Sequence, residues 1–211
     1  LIRLAKHPEP DVLVENRERW TEEYAAYKRG ENVPKAAARR YADPAVQDAL
    51  KMETARKCVY CESRIEHIDY PHVEHILPKA ERPDLVCDWL NLTLACTKCN
   101  VTKGDYYEPD CELVNPYRDE IGDHLIFAGA HVYHRSNDRG LVTINQVDLN
   151  RSELVARRKE AIEAYTRIRD LIARSPLGPV RDVLEAQRED LLKGENEYLA
   201  TTTAFHAASS D

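Results

Sequence analysis

Residues 58–103 read CVYCESRIEHIDYPHVEHILPKAERPDLVCDWLNLTLACTKCNVTK. Two Cys-x-x-Cys pairs, Cys58/Cys61 and Cys96/Cys99, bracket the stretch, with 34 residues (62–95) between them. Each pair can place two thiolates on one tetrahedral ion, and four thiolates make a closed structural zinc site with no open position for water. A closed site does no hydrolysis. It ties together the two ends of the intervening loop, and zinc binding of this kind contributes on the order of 10 kcal/mol to folding at neutral pH. A redox Cys-x-x-Cys needs only one pair, so the second pair argues against that chemistry. Cys58, Cys61, Cys96 and Cys99 are therefore the expected ligands of a structural Zn2+.

The polar residues inside and just after the clamp suit a different task. Glu74-His75 sets a carboxylate beside an imidazole at the end of an apolar run, just ahead of Pro78. An imidazole titrates near neutrality and suits a general base. A carboxylate suits a hard cation such as Mg2+ or Mn2+, which takes oxygen ligands. Asn100 follows the last cysteine directly, so a zinc clamp would hold its side-chain oxygen in place as a second cation ligand. Asn91 can hydrogen-bond to backbone in the loop and so orient His75. A base, a cation and positioning groups are what phosphodiester hydrolysis requires. A zinc-stabilised binding module that does not cut would need only the four cysteines.

The order Cys-x-x-Cys, Glu-His-Ile-x-Pro, Asn-Leu, Cys-x-x-Cys-Asn-x-x-Lys resembles the HNH endonucleases of the ββα-metal class. The resemblance implies a DNA-cutting enzyme with His75 as general base, Glu74 and Asn100 on the catalytic cation, and Asn91 orienting the loop. Glu74 stands where Asp is commoner, and Asn100 replaces a final His. Lys103 matches a Lys that often follows and contacts phosphate; a solvated helix lysine reads equally well. The pattern does not separate DNA from RNA, so a toxin-like nuclease acting on RNA remains an alternative.

Weaker patterns in the flanks extend the resemblance. Ile2-Arg3-Leu4, Pro8 to Leu13, the Asn115-Pro116 turn and the Leu149-Asn150-Arg151 helix start look like the HNH subunit of Septu-type and retron-associated phage-defence systems. That family works with an ATPase of the ABC-like class. The implied fold is α+β and mainly helical, a zinc-stabilised ββα-metal HNH core flanked by N-terminal helices, a β-hairpin and C-terminal helices. The implied divisions are 1–57 (helical extension), 58–110 (nuclease core) and 111–211 (hairpin and helical docking region).

Outside the clamp, apolar spacing predicts a helix from Asn16 to Arg29 with Trp20, Tyr24 and Tyr27 on one face, stopped by Gly30. A short helix follows Pro34. Asp43-Pro44 opens another, running to about Lys57 and burying Val46, Leu50 and Met52 or Ala49. Val73–Leu77 and Asn91–Ala95 read as strands, and Thr97 begins a helix ended by Gly104. His124–Tyr133 and Leu141–Val147 read as a hairpin joined by Ser136–Gly140. Asn150 and Glu153 form a capping box for a helix to about Ala173. Two further helices follow, the first with Val180, Val183, Leu184, Gln187 and Leu191 along one side, the second weaker, from Glu195 to His206.

The totals narrow the setting. With 43% hydrophobic residues among 211, a core is affordable, and no apolar run approaches membrane-spanning length. The start, LIRLAKHPEP, is too polar for a signal peptide, so the expected compartment is the cytoplasm. Cys87 and Cys111 stand outside the pairs and are expected as buried thiols. Net charge is −7, and the stretch from Lys51 to Gly104 carries eight basic and eight acidic residues. Such a balance excludes a module that coats itself on nucleic acid by charge alone, and it leaves room for a partner to supply binding. His72 is a possible lining residue of the site, His67 a loop residue, and His124, His131 and His134 belong to the hairpin region.

Overall fold

The computed structural model describes residues 1–65 and 71–209, which leaves His67 outside the described residues. Helix α1 (Asp11–Lys28) starts five residues before the predicted Asn16. Pro10 disfavours helix behind it but launches one ahead, its carbonyl accepting from Leu13 N–H at 2.8 Å and Val14 N–H at 3.1 Å. Trp20 and Tyr24 are buried as expected, but Tyr27, in the last turn, is 45% exposed. A 3-10 helix follows (Lys35–Ala42), burying Ala37 and Tyr41. Helix α2 (Pro44–Glu53) is capped by the Asp43 side chain on Ala45 N–H and buries Val46 and Leu50. Ala49 packs against the core while Met52 points out. The helix stops short of Lys57 because Ala55 and Arg56 are left-handed, with φ of 51° and 60°, and turn the chain into Cys58.

Strands β1 (His72–His75) and β2 (Leu92–Ala95) pair antiparallel, with His75 opposite Leu92 and Glu74 opposite Thr93. Strand β1 ends before Leu77 because Ile76 and Leu77 leave the ladder. Their N–H groups go to Asn91, at its carbonyl (2.9 Å) and its side-chain Oδ1 (2.8 Å). All four residues of β2 are buried, which explains its continuous apolar run. Helix α3 (Thr97–Lys103) follows at once and ends at Gly104, whose φ of 53° suits a residue without Cβ. This ββα unit is the expected one.

The predicted second hairpin strand is overturned. Strands β3 (Leu125–Ala128) and β4 (His131–His134) form the hairpin, turning at Gly129 with φ of 54°. Leu141–Val147 instead lies mostly in helix α4 (Asp138–Gln146). Asn137 caps it by accepting from Gly140 N–H, and Gly140, Thr143, Ile144 and Val147 are buried at helical spacing. The β-branched run misled because burial outweighs propensity.

The capping box is also overturned. Helix α5 (Ser152–Arg174) has Arg151 at its N-cap position and no side-chain cap. Asn150 is drawn away to Val132, bonding its N–H at 2.9 Å and its carbonyl at 2.8 Å, which fastens β4 to the core. Helices α6 (Pro179–Asp190) and α7 (Leu199–Ala208) pack on α5. Along α6 the predicted stripe is only partly covered: Leu184 and Leu191 are half-buried, but Val180 is 69% and Val183 57% exposed. One apolar core runs from Leu13 and Leu50 through Leu92 and Leu94 to Val132 and Leu154. Among the described residues no helix is long and apolar enough to cross a membrane.

Candidate active site and metal centre

The four paired cysteines converge. Their sulfurs all lie within 4.8 Å of one another, and all four side chains are buried free thiols. The first pair sits on a tight knuckle. Cys58 N–H bonds the Ser63 carbonyl, Glu62 N–H bonds the Cys58 carbonyl, and Glu62 is left-handed at φ 66°. Val59 N–H reaches the Leu94 carbonyl at 2.9 Å and ties the knuckle to β2. The second pair opens α3, where Cys96 Sγ accepts from Cys99 N–H. Zinc–sulfur bonds of about 2.3 Å in a tetrahedron set sulfurs about 3.8 Å apart. Cys61 and Cys96 are 3.9 Å apart, so spacing and donor chemistry both suit a zinc ion. Hydrogen bonds from Cys58, Cys96 and Cys99 hold the Cys61 thiol well below its ordinary range, while burial pushes Cys58 well above it.

Arg151 was not assigned to this centre from the sequence. Both its terminal nitrogens lie 3.7 Å from Cys99 Sγ, and it also donates to the Val147 and Asp148 carbonyls. A guanidinium there favours a thiolate. No spacing rule connects a helix start to a cysteine 52 positions earlier, so only folding reveals the contact. Cys87 is buried as expected, whereas Cys111 is only half-buried.

Beside the clamp, β1 presents Glu74 and His75, each 4% exposed. His75 Nε2 lies 3.0 Å from the Val86 carbonyl, which can only accept, so Nε2 carries the proton and Nδ1 keeps its lone pair. Burial pushes the imidazole down to about 3, against the pull of the Val86 bond, so the ring is neutral at pH 7 but a weaker base than the near-neutral titration expected of an imidazole from the sequence. Tyr41 meets it edge-on, with ring centroids 4.6 Å apart and planes at 77°. Asn91, buried, binds Leu77 N–H at 2.8 Å, the Leu77 carbonyl at 3.0 Å and the Leu85 carbonyl at 3.3 Å. Those bonds pin both ends of the loop that carries Val86 against the strands.

Glu74 Oε1 receives the Tyr60 hydroxyl at 3.2 Å and lies 2.7 Å from Lys103 Nζ. Burial raises the Glu74 carboxyl, and the Lys103 ammonium works to lower it. Lys103 is itself 2% exposed and also donates to the His75 carbonyl at 2.9 Å. It is neither a solvated helix lysine nor turned outward to phosphate. Asn100 is half-buried on α3, one turn before Lys103 and so on the same side of that helix. His72 lies at the far end of β1, where Nε2 meets the Thr97 hydroxyl at 2.9 Å. His131 and His134 are exposed on β4, and His124 Nδ1 lies 3.1 Å from Asn137 Oδ1.

Residues 58–106 match the model of the HNH endonuclease family. The chain is 32% identical over 126 residues to the Septu protein PtuB of Bacillus thuringiensis, across 59% of this chain and 46% of that protein. It is 29% identical over 150 residues to the Septu protein PtuB of Bacillus mycoides (strain KBAB4), across 56% of this chain and 51% of that protein. The chain spans about half the length of the curated relatives it matches. The HNH resemblance and the Septu-type resemblance read from the sequence are borne out, and the HNH match falls on the cysteine clamp and the ββα unit.

Proposed function

Taking residues 58–106 as an HNH domain, we propose that this chain is a metal-dependent endonuclease that hydrolyses DNA phosphodiester bonds. The observation that carries the reading is the His75–Val86 hydrogen bond. It fixes the tautomer and leaves Nδ1 as a lone-pair base. Asn91 holds the Val86 loop and so keeps that bond in place. Glu74 and Asn100 are the residues that would hold a divalent cation. The Lys103 pair favours the ionised carboxylate that an oxygen ligand requires, despite its burial. Mg2+ or Mn2+ bound there would neutralise charge on the phosphate and assist departure of the 3′ oxygen. His75 takes the proton from the attacking water at Nδ1.

The similarity to Septu proteins supports a place in anti-phage defence; this reading adds an ABC-like ATPase as partner and the cytoplasm as setting. In this reading residues 58–110 cut, while 1–57 and 111–211 frame the core and dock the partner.

The test compares wild type with His75→Ala on duplex DNA and on RNA, with Mg2+ or Mn2+, at matched zinc content. Loss of DNA cutting in the variant alone is expected. Equal cutting by both proteins removes His75 from the mechanism. Cutting confined to RNA favours the toxin-like alternative, and binding without cutting by wild type favours a zinc-stabilised binding module.

A further inference from the structure

Lys103 is closed in on Glu74, which leaves open which cation near His75 meets the nucleic acid. A second lysine stands there. Lys79 lies four residues after His75 and is half-buried. Its Nζ is 3.1 Å from the Tyr41 hydroxyl and 5.0 Å from the centroid of the same ring. Tyr41 is the residue whose ring meets His75 edge-on at 4.6 Å. Among the described residues no carboxylate forms an ion pair with Lys79, in contrast to Lys103 and Lys6. The Tyr41 hydroxyl gives this ammonium a neutral acceptor rather than a counter-charge. A phosphate oxygen offers it a stronger, charge-assisted hydrogen bond than the phenol does.

We propose that Lys79 is the residue that grips a backbone phosphate of the nucleic acid beside His75, and that Tyr41 is its positioning residue. Tyr41 belongs to the 3-10 helix Lys35–Ala42, outside the segment that matches the HNH family. The N-terminal extension thereby completes the site: one ring meets the imidazole edge-on and holds the lysine by its hydroxyl. The assignment rests on the reading of His75 as the base.

The experiment uses the full zinc-loaded chain carrying His75→Ala, with a short fluorescein-labelled DNA duplex read by anisotropy across a salt series. Removing one phosphate contact flattens the slope of log K against log salt by about 0.9 for B-DNA. Lys79→Met and Lys79→Gln should both show that change, and Lys79→Arg should keep the parent slope. Tyr41→Phe should keep the slope too, yet in the His75 background lower single-turnover cleavage roughly tenfold or more, because the contact survives but is misplaced. An unchanged slope in both Lys79→Met and Lys79→Gln, or no salt-dependent duplex binding by the parent, overturns the Lys79 assignment. Full cleavage by Tyr41→Phe overturns the role of Tyr41. Because the slope is read without turnover, a flattened slope beside unimpaired cutting by His75→Ala upholds Lys79 and discards His75 as base.

Discussion

The Lys103 ammonium lies 2.7 Å from the Glu74 carboxylate, and both side chains are buried. Breaking such a buried pair from one side typically costs about 3–5 kcal/mol, because the other charge is left uncompensated. Lys103→Met should therefore destabilise strongly, measured by the urea midpoint at constant m-value. Adding Glu74→Gln to it should recover much of the loss. A double variant as unstable as the sum of the singles would show that the two residues do not act as a pair.

The thiol cluster sets the largest stability effect. Structural zinc sites are worth on the order of 10 kcal/mol to small metal-bound cores. One zinc per chain is expected by metal analysis, and a strong chelator should lower the melting temperature sharply. Cys96→Ser should lose both zinc and the cooperative melt. Arg151→Ala should keep the metal but weaken its retention by roughly 10–100-fold, as loss of an outer contact does. A Cys96→Ser protein that melts like wild type would refute the structural role.

Gly140 is a steric prediction. A Cβ there would lie 2.3 Å from the His124 carbonyl oxygen and 3.1 Å from His134 Cβ. Helix α4 presses its first turn onto the hairpin at this point. Gly140→Ala should cost about 1–3 kcal/mol even though alanine is the better helix former. Thermal melts of the two proteins decide it, and a neutral or stabilised variant would mean the hairpin yields freely.

Asp119 gives a pH dependence. Burial works to raise its carboxyl, but bonds from Arg139 and Asn115 N–H, with the charges of Arg139 and Arg118, overcome it and hold the group below the usual carboxylate range. The folded state thus binds its proton later than the unfolded chain as pH falls. Its stabilisation is complete above about pH 4–5 and lost as pH drops through the folded value. Asp119→Asn should cost about 1–2 kcal/mol at pH 7. Chemical denaturation at pH 7 and pH 3 should show the gap to wild type closing at the lower pH. A constant gap would assign the effect to shape rather than charge.

Much of the site was legible because metal and backbone chemistry are written in spacing. Cys58, Cys61, Cys96 and Cys99 meet as their spacing requires, and Asn91 binds the loop backbone as its amide allows. The ββα order around them follows from the short apolar runs and Gly104. Lys103 illustrates where this reasoning ends. A lysine on a short helix reads as solvated or phosphate-facing until Glu74 is placed opposite it on β1. Leu141–Val147 is a similar case, where β-branched residues favour a strand locally but the Asn137 cap and the hairpin surface favour a helix.

The sequence by itself determined the soft-ligand clamp, the Glu-His strand end and the helix that follows, because each depends on residues close in the chain or on a ligand set with one dominant use. Only the tertiary structure decided which charges are paired and which are left open. It seated Lys103 on Glu74, Arg151 on Cys99, Asn150 on Val132, and Lys79 with Tyr41 beside His75. Those pairings span 18 to 52 positions. They form because burying a polar group is costly until it finds a partner, and the fold determines which partner is within reach.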